Sequence, residues 1–297
     1  MSRTVSASQN RAYGVARVVK VWNIARSSVY AARDREQNPR PPCKRGPRVL
    51  SDAELLAAIR RVLSAAAFSG EGYRKTWARL RHGGVRTSKE RVNRLMRENQ
   101  LLSPQRRAVP VPVRPHEGVI VTARPDQMWG TDATATVTMA EGAVTVFAAI
   151  DHCTAECVGI HAVKKATRFE ALEPLRQAVR ERFGGFRADA AAGLQLRHDH
   201  GSVYMSDDFQ SEIRYLGMES SPAFVRQPEG NGCIERFFRT LKEQLLWLRH
   251  FRDIDELQAA LAEFRDRYNR QWIIARLDYR TPAQARRDFD LVLHTAA

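Results

Sequence analysis

From residue 126 onward the hydrophobic pattern changes period in a fixed order. MWGTDATATVTM alternates polar and apolar residues, AEG supplies a turn, and AVTVFAAID resumes the strand pattern, which together predict a hairpin. CVGIHAV predicts a third strand, residues 168–183 a helix, LQLRHD a fourth strand, and SDDFQSEIRYLG a helix that begins at a serine cap. Pro174 lies inside the first of these helices and weakens that expectation. A long helix is expected from Ile234 to about Arg249 and another from Asp253 to Tyr268. Amphipathic elements in this order bury their apolar faces as a layered α/β domain.

Three strands, a helix, a strand, a helix and then further helices is the order of the ribonuclease-H-like fold. We therefore expect an α/β core over 126–290, with a five-stranded mixed sheet and flanking helices within 126–220. Three acids fall where such a core would use them. Asp132 interrupts the first strand, where an uncompensated charge is costly. Asp199 closes the fourth strand, and Glu235 starts the long helix after PEGNG. The first strand is central and the fourth lies beside it, so the three carboxylates converge. Each acid alone would be read as a surface or turn residue; the set carries the inference.

Convergent carboxylates repel and raise one another's pKa unless a hard cation neutralises them. Carboxylate oxygens are the ligands that Mg²⁺ and Mn²⁺ prefer. Two such ions about 4 Å apart activate an attacking oxygen and stabilise a leaving one at a phosphodiester. The expected metal ligands, and catalytic residues, are Asp132, Asp199 and Glu235, with Asp132 bridging both ions. Water would attack first and free a DNA 3′ hydroxyl, which would then attack a target strand.

The charge of the chain is divided unevenly. Residues 1–124 hold 26 Lys/Arg against 8 Asp/Glu, while residues 125–297 hold 22 against 25. All the excess of the net +15 is thus in front of the core, as expected for a surface that meets a polyanion. Proline-rich stretches at 36–49 and 103–125 read as linkers. They delimit a helix–turn–helix segment at 1–35 and a second helical, helix–turn–helix-like DNA-binding domain at 50–102. In the first, Val15, Val18 and Val19 form an apolar stripe, Asn23 tolerates the turn, and Arg26 opens a second helix suited to a major groove. In the second, three helical patterns follow one another, with Thr87 and Glu90 spaced as a capping box. The fold class is thus a ribonuclease-H-like catalytic core preceded by all-α helix–turn–helix DNA-binding modules.

Three segments, WGTDAT, HDHGSVYMS and QPEGNGCIERFFRTLKEQ, resemble the motifs of the integrase-type DDE transposases of bacterial insertion sequences. Asp199 and Glu235 are separated by 35 residues, the family spacing, and Lys242 stands at the family's basic position after the glutamate. Tyr268, Asn269, Leu277, Tyr279, Thr281 and Pro282 match the family's C-terminal pattern. The front half resembles the segments that precede the core in the downstream frame of two-frame elements.

The resemblance implies a transposase that binds element ends and catalyses metal-dependent cleavage and strand transfer. Mg²⁺ or Mn²⁺ would be its cofactor. Its partners would be double-stranded DNA (terminal inverted repeats and target), further copies of itself on DNA, and the upstream-frame protein. The competing readings are a non-catalytic DNA-binding regulator and a ribonuclease-H-like nuclease.

Candidate DNA contacts are Lys242, Arg239, Asn231, Arg26, Arg74, Lys75 and Arg91. Asn231 belongs to a Gly-Asn-Gly loop expected over the site, and residues 1–102 are expected to bind DNA without the core. Ile234, Phe237, Phe238, Leu241, Leu245 and Leu248 form the face of the long helix expected to pack on the sheet. His198 and His200 should point away from Asp199. His152, Cys153, Cys157 and His161 lack the spacing of a structural zinc module and read as buried structural residues. No nucleotide-binding loop, secretory leader or membrane-length apolar run occurs, so a cytoplasmic, nucleoid-associated protein is expected.

Overall fold

The computed structural model describes residues 4–38, 50–104, 122–223 and 231–296. Most of both proline-rich stretches and Gly230 lie outside these residues. Two compact units divide the chain at Ser51.

The first unit contains two helices, α1 (Gly14–Val21) and α2 (Arg26–Gln37). Asn23 adopts φ 49° between them, the left-handed turn its short side chain tolerates. Val19 is buried, Val15 and Val18 half-buried. Arg26 stands exposed with its guanidinium 5.6 Å from the Tyr30 ring.

The second unit begins with α3 (Asp52–Ser64), α4 (Tyr73–His82) and α5 (Lys89–Glu98), which share a small core of Leu55, Ile59, Leu80, Val92, Leu95 and Met96. The cap of α5 is Ser88, whose hydroxyl accepts from Arg91 N at 3.1 Å, one residue later than the expected Thr87. The Trp77 indole donates to the Thr87 carbonyl at 2.9 Å and so holds Thr87 outside the helix.

These helices are docked on the α/β core. Phe68, between α3 and α4, is 3% exposed and inserts among core aromatics, edge-on to Trp272 at 4.9 Å and Phe264 at 6.2 Å. Ser69 exchanges hydrogen bonds with Gln244: its amide donates to Oε1 at 2.9 Å and its carbonyl accepts from Nε2 at 3.1 Å.

Five strands, β1 (Met128–Thr138), β2 (Gly142–Asp151), β3 (Cys157–Val163), β4 (Gln195–His198) and β5 (Glu219–Pro222), form a mixed sheet in the order β3-β2-β1-β4-β5. β1, β2 and β3 pair antiparallel, while β4 pairs parallel to both β1 and β5. Alternation along β1 and β2 separates two cores. Trp129, Phe147 and Ala149 face α6 (Arg168–Phe183) and α7 (Asp207–Tyr215). Val146, Ala148 and Ile150 face α8 (Gly232–Leu241) and α9 (Ile254–Gln271).

α6 runs unbroken through Pro174 because Ala171, Leu172, Leu175, Ala178 and Val179 on one stripe are fully buried. It crosses β3 so closely that a Cβ on Gly159 would fall 2.0 Å from the Pro174 carbonyl oxygen.

The expected long helix is interrupted. α8 ends at Leu241 and continues as a π-helical turn over Lys242–Leu246. The wider turn buries the consecutive Leu245 and Leu246 and rotates Leu248 out to 66% exposure, so Leu248 does not join the packed face. Asn269 of α9 saturates the edge of β3, accepting from Cys157 N and donating to Cys157 O, each at 2.9 Å. In α10 (Pro282–Ala296), Arg286 joins Asp126 and Glu156 in a buried ion cluster that fastens the C-terminal helix to the entry of β1.

Candidate active site

The register of β1 and β4 decides where the first two acids meet. Gly130 pairs with Arg197, the last pair between these strands; Asp132 lies two residues further along β1, and Asp199 two residues further along the chain, just past the end of β4. Asp132 keeps one oxygen on the Ala133 amide at 2.8 Å. Asp199 uses one on the Gly201 amide at 2.8 Å, which closes the turn after β4. A Cβ on Gly201 would lie 2.9 Å from that oxygen, so a side chain there would displace the Asp199 carboxylate.

Glu235 projects from the first turn of α8 and is exposed. Burial pushes the Asp132 carboxyl up to about 6; the charges of Asp199 and Glu235 push the same way, and Lys242 opposes them. The three acids and Lys242 thus share one electrostatic neighbourhood. Among the described residues no three of His, Cys, Asp or Glu, these three acids included, stand close enough together to hold a metal ion as they are placed. The donor set nevertheless suits a hard cation. All three candidate residues are carboxylates, and the charged form of Asp132 is disfavoured where a cation would relieve it.

His198 is fully buried, bonded through Nδ1 to the Asp199 carbonyl at 2.7 Å and through Nε2 to the Ser220 hydroxyl at 2.9 Å. Its ring stacks on Tyr204 at 5.7 Å. Tyr204 is buried, and its phenol is held unionised first by burial and then by the Asp132 and Asp199 charges. His200 bonds the Ala223 carbonyl at 2.7 Å. Cys153 and Cys157 are free and buried, and His161 bonds Glu170 at 2.7 Å.

Several candidate DNA contacts have other partners. Asn231 does not cover the site from a loop: it is 6% exposed and donates to the Thr131 carbonyl at 3.2 Å, tying the start of α8 to β1 beside Asp132. Its Oδ1 and His152 Nε2 crowd Gly130, where an added Cβ would meet them at 2.8 and 2.7 Å. Arg276, unremarked in the sequence, donates to the carbonyls of Cys153 and His152, each at 2.9 Å, and reaches the Cys233 sulfur at 3.7 Å. It therefore braces the other side of α8's first turn.

Arg91 is committed to Asp52 at 2.5 Å. The Lys75 ammonium is buried 2.9 Å from the centre of the Trp272 ring. Arg74 is exposed, with its Nε donating to the Tyr73 hydroxyl at 3.2 Å. Arg239 is exposed one turn beyond Glu235, and Lys242 is half-buried.

A ribonuclease-H-like sheet with one acid within its central strand and another just past the neighbouring parallel strand, preceded by a helical module, is the architecture of a polynucleotidyl transferase. A model described as an HTH-like domain matches residues 51–109, and two described as an integrase core domain match 122–228 and 216–282. The transposase InsD of insertion element IS2A/D/F/H/I/K from Escherichia coli is 27% identical over 280 residues, covering 92% of this chain and 91% of the relative. The IS2-9 transposase InsD of Escherichia coli strain K12 is 27% identical, covering 92% and 89%. Among solved structures, a simian T-cell lymphotropic virus intasome chain is similar at TM-score 0.48 and 17% identity, covering 80% of this chain and 74% of that one. The chain belongs to the integrase-core transposases of insertion sequences.

Proposed function

We propose that this transposase cuts element ends and joins them to target DNA at a single site, with Asp132, Asp199 and Glu235 as its catalytic residues. The observation that supports this reading most is that Asp132 and Asp199 both follow the last β1–β4 pair by two residues, with the charges of Asp199 and Glu235 bearing on Asp132. Asp132, Asp199 and Glu235 would hold the divalent ions. Bound Mg²⁺ or Mn²⁺ supplies Lewis acidity to the attacking and leaving oxygens. Lys242 contributes positive charge at the phosphate, and Arg239 extends it along α8. The buried ring of Tyr204 and the Asn231 bond to β1 hold the acids in place and exclude water from behind them.

The two helical segments would grip the end sequences, with further copies of the chain assembling on the DNA in the cytoplasm. The upstream-frame protein of the element would be an additional partner. Cleavage and strand joining, measured on the element's own end sequences with Mg²⁺ and Mn²⁺, test the reading. Specific nicking followed by joined product is expected; binding without either product would reduce the chain to a regulator.

A further inference from the structure

Where α4 and α5 meet the core, the second unit encloses a pocket of about 820 Å³. Its walls carry Arg74 and Lys75 from α4, Asn93 and Arg97 from α5, Glu243 from the π-helical turn, and Trp272. Two guanidinium groups and the Lys75 amine therefore line it together with one carboxylate. Their surroundings make this more than a solvated basic surface. Lys75 Nζ is buried in the wall without a hydrogen-bond partner, an arrangement that costs free energy unless something polar completes it. Arg91 and Arg94 of the same α5 are occupied by Asp52, whereas Arg97 opens on the pocket.

The pocket's position adds direction. One π-helical turn separates it from the candidate active site. Lys242 begins that turn and acts on Asp132, while Glu243 and Gln244 line the pocket and Gln244 is clamped by Ser69.

We propose that the pocket binds the phosphodiester backbone of the DNA strand being processed, through Arg74, Lys75 and Arg97, and so indexes the helical module against the cut. This deepens the transposase reading and rests on it. A pocket of this size and charge suits backbone phosphates, whose binding is sequence-independent.

The test uses the full chain in EDTA and fluorescence anisotropy with a labelled random-sequence duplex, over a range of salt. The variants are Arg74→Gln with Arg97→Gln, and Lys75→Met alone. Arg180→Gln with Arg214→Gln, on helices of the opposite sheet face, controls for charge. At moderate salt the double pocket variant is expected to bind at least about tenfold more weakly, and the log–log salt slope to flatten by about 0.9 for each phosphate no longer neutralised. The control pair should stay within about twofold, and unchanged melting of the double variant, whose side chains lie at the surface, excludes unfolding.

Wild-type-like affinity and slope in both pocket variants overturns this proposal while leaving the transposase reading intact. No duplex binding by the wild type overturns both. Saturable binding of inorganic phosphate that the double variant loses, with duplex affinity unchanged in that variant, identifies a small-anion pocket and overturns the DNA assignment.

Discussion

Asp132 and Asp199 each lie two residues beyond the Gly130–Arg197 pair, the last of the parallel β1–β4 ladder. The ladder fixes where the two segments part, and Asp199 stands just past the end of β4. Asp132→Asn, Asp199→Asn and Glu235→Gln keep the shape and remove a negative ligand. Each should lower cleavage and strand transfer by about a thousandfold or more, ~4 kcal/mol of barrier, with folding and DNA binding retained. A correctly folded variant with near-wild-type cleavage would remove its residue from the site.

Asp132→Asn should also melt higher than the wild type in EDTA above pH 6. Asp132 is raised from 3.8 to about 6, so between those values the folded protein holds a proton that the unfolded chain has released. That contribution is present at low pH and is lost as pH rises through about 6. The gain from asparagine should therefore vanish near pH 4, as melting curves across pH would show.

Lys75 gives the opposite profile. Burial lowers it from 10.5 to about 7, with Glu71 opposing the shift and Arg79 adding to it. Between those values the unfolded chain holds a proton that the folded protein sheds, so stability climbs with pH over that window. Lys75→Met should flatten the climb and add about 1–3 kcal/mol at pH 7. A denaturant series at pH 7 and pH 10 measures both, and an unchanged slope would show the ammonium to be solvated.

Asn231→Ala cuts the tie between α8 and Thr131. A positioning role predicts turnover down by about tenfold (~1.4 kcal/mol) with duplex affinity within about twofold. A direct DNA contact predicts the reverse split, with weakened affinity and single-turnover cleavage retained at saturation.

Phe68→Ala should cost about 3–5 kcal/mol of stability in the full chain, although Phe68 lies outside the α/β segment in sequence. A fragment ending near residue 102 would expose this ring and Trp77. It should remain monomeric and bind DNA only when Phe68 is replaced by serine, as sedimentation and anisotropy would reveal.

The acids were readable from sequence because Asp132 breaks an alternating strand and Asp199 ends another; the period of two and the turn glycine locate both. The order of four strands and two helices was equally plain. β5 carried no such signal: Glu219–Pro222 is polar and exposed, a short edge held by main-chain pairing to β4. The π-helical turn was invisible because Leu241, Leu245 and Leu248 fit an α-helical stripe, and only packing shows that Leu248 leaves it. Asn231 between two glycines looked like a loop residue. Its burial depends on Gly130, a neighbour distant in sequence. The docking of α3–α5 likewise rests on Phe68, one aromatic in a short connection.

α8 starts without a side-chain cap, so Glu235 stands on a helix turn that can fray while Asp132 stays within the sheet. The amides around Asp132 lie within a sheet ladder and should exchange hydrogen for deuterium only when the sheet opens globally. The first turn of α8, held by Asn231 and Arg276 from outside, should exchange through its own fraying. Comparing the DNA-free with the DNA-bound protein should then show exchange slowed selectively at the amides of residues 232–236. Assembly of the active centre would thus be an event of one helix turn, and temperature should silence the enzyme before it unfolds the sheet.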